Sequence, residues 1–522
     1  MIIYIRKIIS KNHKKGKKTM YYPQIDEIKK INKNNKYKRI PLSYEIYSDS
    51  NTPIEVMRRL KKESKHCYLL ESIEDLKNWG RYTFLGFNPI LEFTCQNGDI
   101  KIKGDYKNYT KTNLKEETIL KNENPKKHIR KIINDNKTPQ LEKLPPFTGG
   151  LVGYFAYDYI KYNEPTLKLE SENKDGFKDI DLMLFDKVII FDNFKQKIII
   201  IVNIKTENLE ENYQKGKEEI QKIIHLIKNG QPAKNKPLKL KSEFKPLFTK
   251  KEYMEIIEKA KNYIKEGDIF QVVPSNRIEA KISGSLFDTY RVLRTTNPSP
   301  YMFYFSSDTI EIAGASPETL VKLKNGQVYT YPLAGTRPRG KTDLEDEKIS
   351  QELLKDEKEL AEHNMLVDLG RNDIGKISKI GSVKLKKYLN IEKFSHVMHI
   401  GSTVEGTLKE DEDFLSAIDS ILPAGTLSGA PKIRACQIID ELENNKRGIY
   451  GGAIGYISLS GNLDTCIGIR IAFARNNKVF IRSGGGIVAD SNPELEYQET
   501  INKAAAVIEA LKTANGGIKW YY

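Results

Sequence analysis

The chain has 522 residues, 39% of them hydrophobic, a formal net charge of +16, and four dispersed cysteines (Cys67, Cys95, Cys436, Cys466) that form neither a CxxC pair nor a zinc pattern. The length suits about three domains, no apolar run approaches the ~18 residues of a membrane span, and the cysteine usage suits a reducing cytoplasm. The charge does not argue for nucleic acid: seven Lys/Arg and no acid fall in residues 1–22, and the remaining +9 is spread through Lys–Glu mixtures with few Arg–aromatic clusters.

Residues 1–19 are a basic leader, open to reading as a targeting peptide or as sequence ahead of a second start at Met20. Residues 20–229 form an N-terminal region. In it His66–Ser72 and Gly80–Pro89 read as strands, Leu184–Val202 as a β-hairpin, and Glu207–Lys228 as a helix. The Lys/Asn-rich segment 105–145 reads as a mobile surface stretch with a short helix. The Gly- and aromatic-rich Pro146–Glu164 implies closely packed backbone. Three prolines among lysines place a linker at 230–248.

The remaining 249–522 open with a helix over Thr249–Glu266. A strand pair is expected in GDIFQVVPSNRIEAKI, then a helix over Leu286–Thr296 and strands to Leu333. One long helix is expected over Leu344–Leu369 and a short one over Asp413–Ile421. A glycine-rich loop, Leu422–Lys432, leads into a helix ending at Glu443. Gly448–Val488 reads as one antiparallel meander. With no internal repeat and no regular βαβ alternation, the fold class is α+β, with large antiparallel sheets and helices packed outside.

The stretch Phe480–Lys503 is the richest in chemistry. Gly484, Gly485 and Gly486 follow a β-rich run, and glycine backbone lets N–H groups approach an anion closely. Glu496 and Glu499 open the helix after a turn at Asp490–Pro493, three apart and so on one face. Glu359 and Glu362 repeat that spacing on the long helix. Each pair also fits a solvated acidic turn, whereas two pairs of hard oxygen donors near a glycine cradle point to Mg²⁺ with an anionic substrate.

In Asp464–Phe473, strand alternation groups Arg470 with Cys466, Gly468 and Ala472. Small neighbours leave room for a carboxylate beside the guanidinium, though an arginine facing water has the same pattern. His399 lies in a β-like run, as an acid–base group or a structural one. GTRPRGKT (Gly335–Thr342) fits a P-loop by letter. No parallel βαβ unit surrounds it and Pro338 removes a backbone donor, so a chance match is the better reading. The same lack of a βαβ unit disfavours NAD binding at GGGIVA, and HExxH and GxSxG motifs are absent.

The motifs YLLES, GRYTFLG, PFTGGLVGYFAYD, GDIFQVVPSNR, NPSPYMFYF, ASPE, PLAGTRPRG, ELAEHNMLVDLGRND, VMHIGSTVEG, LPAGTLSGAPKIRA, RGIYGGAIGY, LDTCIGIR and SGGGIVADSNPELEYQET run in one order. Together they resemble the large, aminating subunits of anthranilate synthases, within the chorismate-utilising enzymes, from Met20 to Ala510. The resemblance implies the chorismate-utilising fold and conversion of chorismate and ammonia to anthranilate and pyruvate, the first committed step of tryptophan synthesis. It implies Mg²⁺ held through Glu362 and Glu499, with Glu359 and Glu496 as secondary or water-mediated ligands. It implies chorismate held by Gly335, Thr336, Tyr450, Arg470, Gly484, Gly485 and Gly486, with Glu318 as general acid and His399 and Thr426 close to the reacting atoms. Spacing alone marks neither Glu318 nor Thr426 as catalytic.

The same resemblance implies tryptophan inhibition through Glu71, Ser72, Pro300, Tyr301 and Met302, with Tyr456 and Cys466 beside them. No glutaminase triad is recognisable, so it implies a separate glutamine amidotransferase subunit, in a heterotetramer of two large and two small subunits. Two positions bear on the branch. Ala334 stands in PLAGT where aminodeoxychorismate synthases, the nearest alternative, carry a lysine nucleophile. Gln271 stands where isochorismate synthases carry a water-activating lysine. Arg482-Ser483 departs from the family's usual Gln-Ala, so Arg482 either adds charge near the cradle or points away from it.

Overall fold

The structure is a computed structural model that describes residues 21–72, 80–109, 114, 116–234, 236–393 and 397–518. The leader at 1–19 lies outside them. Two large antiparallel sheets organise the described residues, as the α+β reading expects. The first, of thirteen strands, runs from Tyr21–Tyr22 through Arg39–Tyr47, Lys197–Lys205, Lys187–Asp192, Tyr82–Phe87, Cys67–Glu71, Tyr301–Ser306, Glu311–Ser316, Ile471–Arg475 and Lys478–Gly484 to Ser275–Ser283. The short strands Lys239–Leu240 and Lys245–Pro246 close that edge. The second sheet, of twelve strands, runs from Leu333–Pro338 through Val397–Thr407, Gln327–Thr330, Thr319–Lys324, Leu463–Ile467, Ala453–Ser458, Gly150–Phe155, Ile180–Phe185 and Leu91–Gln96 to Asp99–Gly104 and Glu117–Leu120. Lys384–Lys393 adds to it beside Val397–Thr407.

Strand alternation sorts the side chains. In Cys67–Glu71, Cys67 and Leu69 enter the helix-covered core while Tyr68 enters the core between the sheets. That inner core is aromatic, with Tyr68 edge-on to Phe185 at 4.7 Å and Phe147 beside Tyr456 at 4.2 Å between ring centres. The helices Leu209–Asn229, Phe287–Thr296 and Pro493–Thr513 cover the first sheet. Pro125–Asp135, Glu357–Ile377 and Phe414–Ile421 cover the second.

The hairpin Lys187–Asp192/Lys197–Lys205 and the helices Leu209–Asn229 and Lys250–Lys265 form where hydrophobic pattern and the Thr249 capping box put them. The segment 105–145 holds the strand Glu117–Leu120 and the helix Pro125–Asp135, while 110–113 and 115 lie outside the described residues. Strands from both sides of 230–248 pair with each other in both sheets: Met302 with Glu71 in the first, Gly455 with Gly153 in the second.

Three expectations need correction. The helix expected over Leu344–Leu369 is two, Asp343–Leu353 and Glu357–Ile377. Asp356 breaks the run, because its carboxylate accepts the amides of Lys358 (3.1 Å) and Glu359 (3.2 Å) and starts a new helix. The strands of GDIFQVVPSNRIEAKI do not pair together: Gln271–Val272 joins Gly429–Ala430, and Ser275–Ser283 joins Lys478–Gly484. The Gly448–Val488 meander changes sheet halfway, with two strands in the second sheet and two in the first. The P-loop match forms no anion cradle, since the Asp346 carboxylate accepts Gly340 N–H at 2.7 Å and pairs with Arg339.

Candidate active site

The site lies where paired strands leave one sheet for the other. Glu311–Ser316 pairs with Ile471–Arg475 in the first sheet, and Thr319–Lys324 pairs with Leu463–Ile467 in the second. The two crossings carry Glu318 and Arg470. They stay laced by Ile467 N–H donating to Glu318 O (2.9 Å) and Ala315 N–H donating to Arg470 O (3.2 Å). Arg470 is therefore not a mid-strand residue of a continuous Asp464–Phe473 alternation. It takes the left-handed φ of +50°, a conformation that costs energy for any residue with a Cβ and is kept by its surroundings.

Burial pushes the Glu318 carboxyl above its ordinary value, opposed by the Arg470 charge and by Thr426, whose Oγ1 donates to Glu318 Oε2 at 3.2 Å. Burial depresses the Arg470 guanidinium, opposed by Glu318. Tyr450 is buried in the same electrostatic neighbourhood, and burial pushes its hydroxyl up to about 12.

A second wall comes from Leu333–Pro338 and Val397–Thr407. Gly335 takes φ +63°, which turns its carbonyl onto His399 Nδ1 at 2.9 Å. A carbonyl only accepts, so this bond puts the proton on Nδ1 and leaves Nε2 a lone pair. Thr336 Oγ1 lies 3.2 Å from the same Nδ1. Burial holds the imidazole below its ordinary value and so keeps it neutral. A Cβ on Gly335 would come within 3.2 Å of Glu359 Oε2, so the long helix closes directly over this turn. Ala334 is buried beside Ile400 and offers no nucleophile.

The third wall is the glycine strand end and the C-terminal helix. Asn492 caps that helix by accepting the amides of Glu494 and Leu495 at 3.0 and 3.2 Å. A Cβ on Gly485 would come within 3.0 Å of Glu496 Oε2 and 4.0 Å of Glu499 Oε1, so the missing side chain is what brings the carboxylates to the strand. Gly484 packs on the Pro274 carbonyl, and Gly486 on the Gln271 amide.

Three of the four predicted metal-site carboxylates meet these walls, Glu359 at the Gly335 turn and Glu496 and Glu499 at Gly485. Burial, then the Glu359 charge, raises Glu362, and Glu499 adds to it. Burial raises Glu496 and Glu499 adds to it, against the opposing hydrogen bond from Ser491. Glu362 thus feels charges of the C-terminal helix, and Glu496 feels the opposing charge of Lys358 on the long helix. Among the described residues no three of these groups form a ready metal cluster. This donor set fits Mg²⁺, which prefers one or two carboxylates completed by substrate oxygens and water over an all-protein cage. Three carboxylates have partners: Glu359 meets Arg337 at 3.0 Å, Glu499 meets Lys503 at 2.7 Å, and Ser491 donates to Glu496 at 2.8 Å.

Arg337 and Lys503 were absent from the sequence-based set. The signal for Lys503 was its spacing four residues after Glu499. Arg337 also pairs with Asp356 at 2.8 Å, the residue that splits the helix. Arg482 points away from the cradle, its Nη1 donating to Glu443 Oε2 at 3.1 Å.

The expected inhibitor residues divide between two faces. Glu71 and Met302 face the helix side, where Arg294 Nε donates to Glu71 Oε1 at 2.6 Å and Tyr290 donates to the same oxygen. Tyr301, Tyr456 and Cys466 belong to the core between the sheets, where Tyr301 donates to Asp464 at 2.7 Å. Ser72 directly follows the strand Cys67–Glu71. A cavity of about 1240 Å³ opens nearby, lined in part by Pro300, Thr319, Tyr331 and Asn462.

Known proteins share this architecture. The chorismate binding enzyme family matches residues 65–509. An anthranilate synthase component 1 of Acetivibrio thermocellus is 46% identical over 95% of this chain and 99% of that protein. One from Aquifex aeolicus is 44% identical over 94% of this chain and 98% of that protein. The crystal structure of anthranilate synthase component I from Streptococcus pneumoniae superposes with a TM-score of 0.71 at 36% identity, covering 88% of this chain and 98% of that one. The isochorismate synthase MenF of Escherichia coli shares the fold alone, with a TM-score of 0.66 at 19% identity over 90% of this chain and 94% of its own. With sheets, crossings and glycine cradle in place, the chain belongs to the chorismate-binding enzymes, among their anthranilate synthase component 1 members.

Proposed function

We propose that the chain converts chorismate and ammonia to anthranilate and pyruvate, with Mg²⁺ required and glutamine-derived ammonia delivered by a partner amidotransferase subunit. The observation that carries the reading is the Glu318–Thr426–Arg470 group at the paired sheet crossings: a partly desolvated carboxyl beside a fixed cation. Arg470 and Tyr450 bind and orient a substrate carboxylate. Backbone from Gly484 to Gly486 lies against that carboxylate and excludes water. Glu318, whose protonated form burial favours, gives a proton to the departing hydroxyl. His399, neutral with its proton on Nδ1, presents Nε2 as an acceptor for a proton released from the ring. Glu362 and Glu499, with Glu359 and Glu496 behind them, would hold magnesium, whose charge offsets that of the substrate's ring carboxylate.

Tryptophan, as inhibitor, fits the inner-core face that carries Tyr301, Tyr456 and Cys466, next to the cavity at Pro300, with Ser72 at the end of the neighbouring strand Cys67–Glu71. Glu71, held by Arg294, acts there as a support for the strand.

The test is fluorescence of anthranilate from the purified chain with chorismate, Mg²⁺ and an ammonium salt, with and without tryptophan. Product that requires both Mg²⁺ and ammonium and falls with tryptophan supports all three assignments. Chorismate consumed without anthranilate overturns the reaction.

A further inference from the structure

Behind the glycine cradle lies a buried group that no role above uses. Glu443, at the end of helix Lys432–Glu443, shares its carboxylate between two arginines, Arg447 and Arg482. All three are at most 2% exposed. Both guanidiniums hold the Glu443 carboxyl below its ordinary value against the opposing effect of burial. Burial pushes Arg482 down to about 10, whereas the charge of Glu443 overrides burial at Arg447 and raises it. Two cations thus compete for one anion in a desolvated site.

The arginines are not equivalent. Arg482 reaches Glu443 and Asn445, and its Nε has no hydrogen-bond partner. Arg447 uses its whole fork. Its Nε donates to Glu443 Oε2 at 3.0 Å, its Nη1 to the Leu427 carbonyl at 2.6 Å, and its Nη2 to the Val273 carbonyl at 2.6 Å. Its guanidinium also lies over the Tyr157 ring at 4.6 Å and 5.7 Å from the Tyr450 ring centre. Glu443 Oε1 accepts both N–H and O–H of Ser275, at 2.7 and 2.9 Å.

Each of those endpoints adjoins an active-site residue. Leu427 follows Thr426. Val273 lies two residues after Gln271. Ser275 is the cross-strand partner of Gly484. These three segments come from distant parts of the chain. Gln271–Val272 pairs with only two residues of the Thr426 segment, Gly429–Ala430, and meets the Gly484 segment through the single bridge Val272–Ile487 and the end of a ladder at Ser275–Gly484.

We propose that Arg447, braced by Glu443, is a positioning residue that sets the three backbone segments carrying Thr426, Gln271 and Gly484 relative to one another. A planar fork holds two carbonyls and a carboxylate at fixed angles, and a point-charge ammonium cannot. The kinetic consequence rests on the proposed chorismate reaction; the structural one does not.

The experiment compares Arg447→Lys and Arg482→Gln with wild type by amide hydrogen exchange and by steady-state kinetics with ammonium. In Arg447→Lys, exchange rises together in peptides covering 270–275, 425–429 and 481–487, and kcat falls about 10- to 100-fold with KM for chorismate within threefold. In Arg482→Gln, exchange and kcat stay within threefold of wild type. Unchanged exchange in Arg447→Lys, a rise confined to one segment, or equal loss in Arg482→Gln overturns the proposal. Should Arg447→Lys fail to fold, the isosteric Glu443→Gln must show the same three-segment pattern. If wild type does not turn over chorismate, the reaction assignment falls while exchange still decides the positioning role.

Discussion

Thr426 Oγ1 donates a 3.2 Å hydrogen bond to Glu318 Oε2 in the gap where the sheets part. This bond favours the ionised carboxylate, while burial favours the proton. Removing the hydroxyl in Thr426→Val therefore raises the Glu318 value further and moves the alkaline limb of the kcat profile to higher pH. Glu318→Gln removes the acid and lowers kcat by about 10²- to 10⁴-fold. Anthranilate formation from pH 6 to 10 checks both, and a Gln variant of near-normal kcat excludes Glu318 as the acid.

Arg470 separates binding from folding. At φ +50° a glycine is unstrained, so Arg470→Gly gains about 1 kcal/mol of backbone relief and melts no lower than wild type. It also loses the guanidinium, and kcat/KM for chorismate falls by about 100-fold or more. A paired melting and kinetic measurement tests this; retained kcat/KM refutes the assignment.

The neighbouring glycines differ in what opposes a methyl group. A Cβ on Gly484 would overlap the Pro274 carbonyl, which is backbone and cannot swing aside. Gly484→Ala is expected to cost about 1–3 kcal/mol in urea unfolding. A Cβ on Gly486 would meet only the end of the Gln271 side chain. Gly486→Ala should leave stability within about 1 kcal/mol but displace that amide, lowering kcat/KM about tenfold.

His363 gives a pH signature unrelated to catalysis. It is fully buried, with Nε2 2.7 Å from Ser402 Oγ, and burial lowers it to about 4. Between pH 6.5 and 4 the unfolded chain binds this proton and the folded chain does not. Its stabilising effect is complete above pH 6.5 and is lost as pH falls through that window, by about 3 kcal/mol at the lower end. Urea titrations from pH 7 to 4 should show this slope reduced in His363→Leu relative to wild type.

Metal dependence is checked through Glu499. Chelation should abolish product formation, and Glu499→Gln should raise the Mg²⁺ concentration for half-maximal rate at least tenfold. Calorimetric Mg²⁺ titration of wild type and variant gives a readout separate from turnover. Wild-type Mg²⁺ response in the variant removes Glu499 from the site.

The fold class and most strands were legible because alternation and turn residues are local signals, as in the Lys187–Lys205 hairpin. The sheet change at Gly468–Arg470 was not, since Ile467, Ile469, Ile471 and Phe473 keep the same alternation across it. Nor was the helix break: Asp356 sits in a run of helix formers and acts only through its cap. The glutamate pairs were visible by spacing, and Glu318 only by resemblance, because its chemistry comes from a crossing that 150 residues of intervening chain must fold to create. Glu71 was marked only by resemblance, and its partner Arg294 by nothing in the sequence.

The sharing of both sheets across 230–248 bears on how the chain acquires its shape. Glu71 pairs across the ladder with a strand more than 200 residues later, and Gly153 with one about 300 later. Such pairings close very long loops before any contact rewards them, so folding should be slow and governed by topology. On the ribosome, the strands Cys67–Glu71 and Gly150–Phe155 must wait with open edges until residues beyond 300 and 450 emerge. Fragments cut at the connector should neither fold alone nor stay soluble, yet a nick made there after folding should leave the two pieces bound.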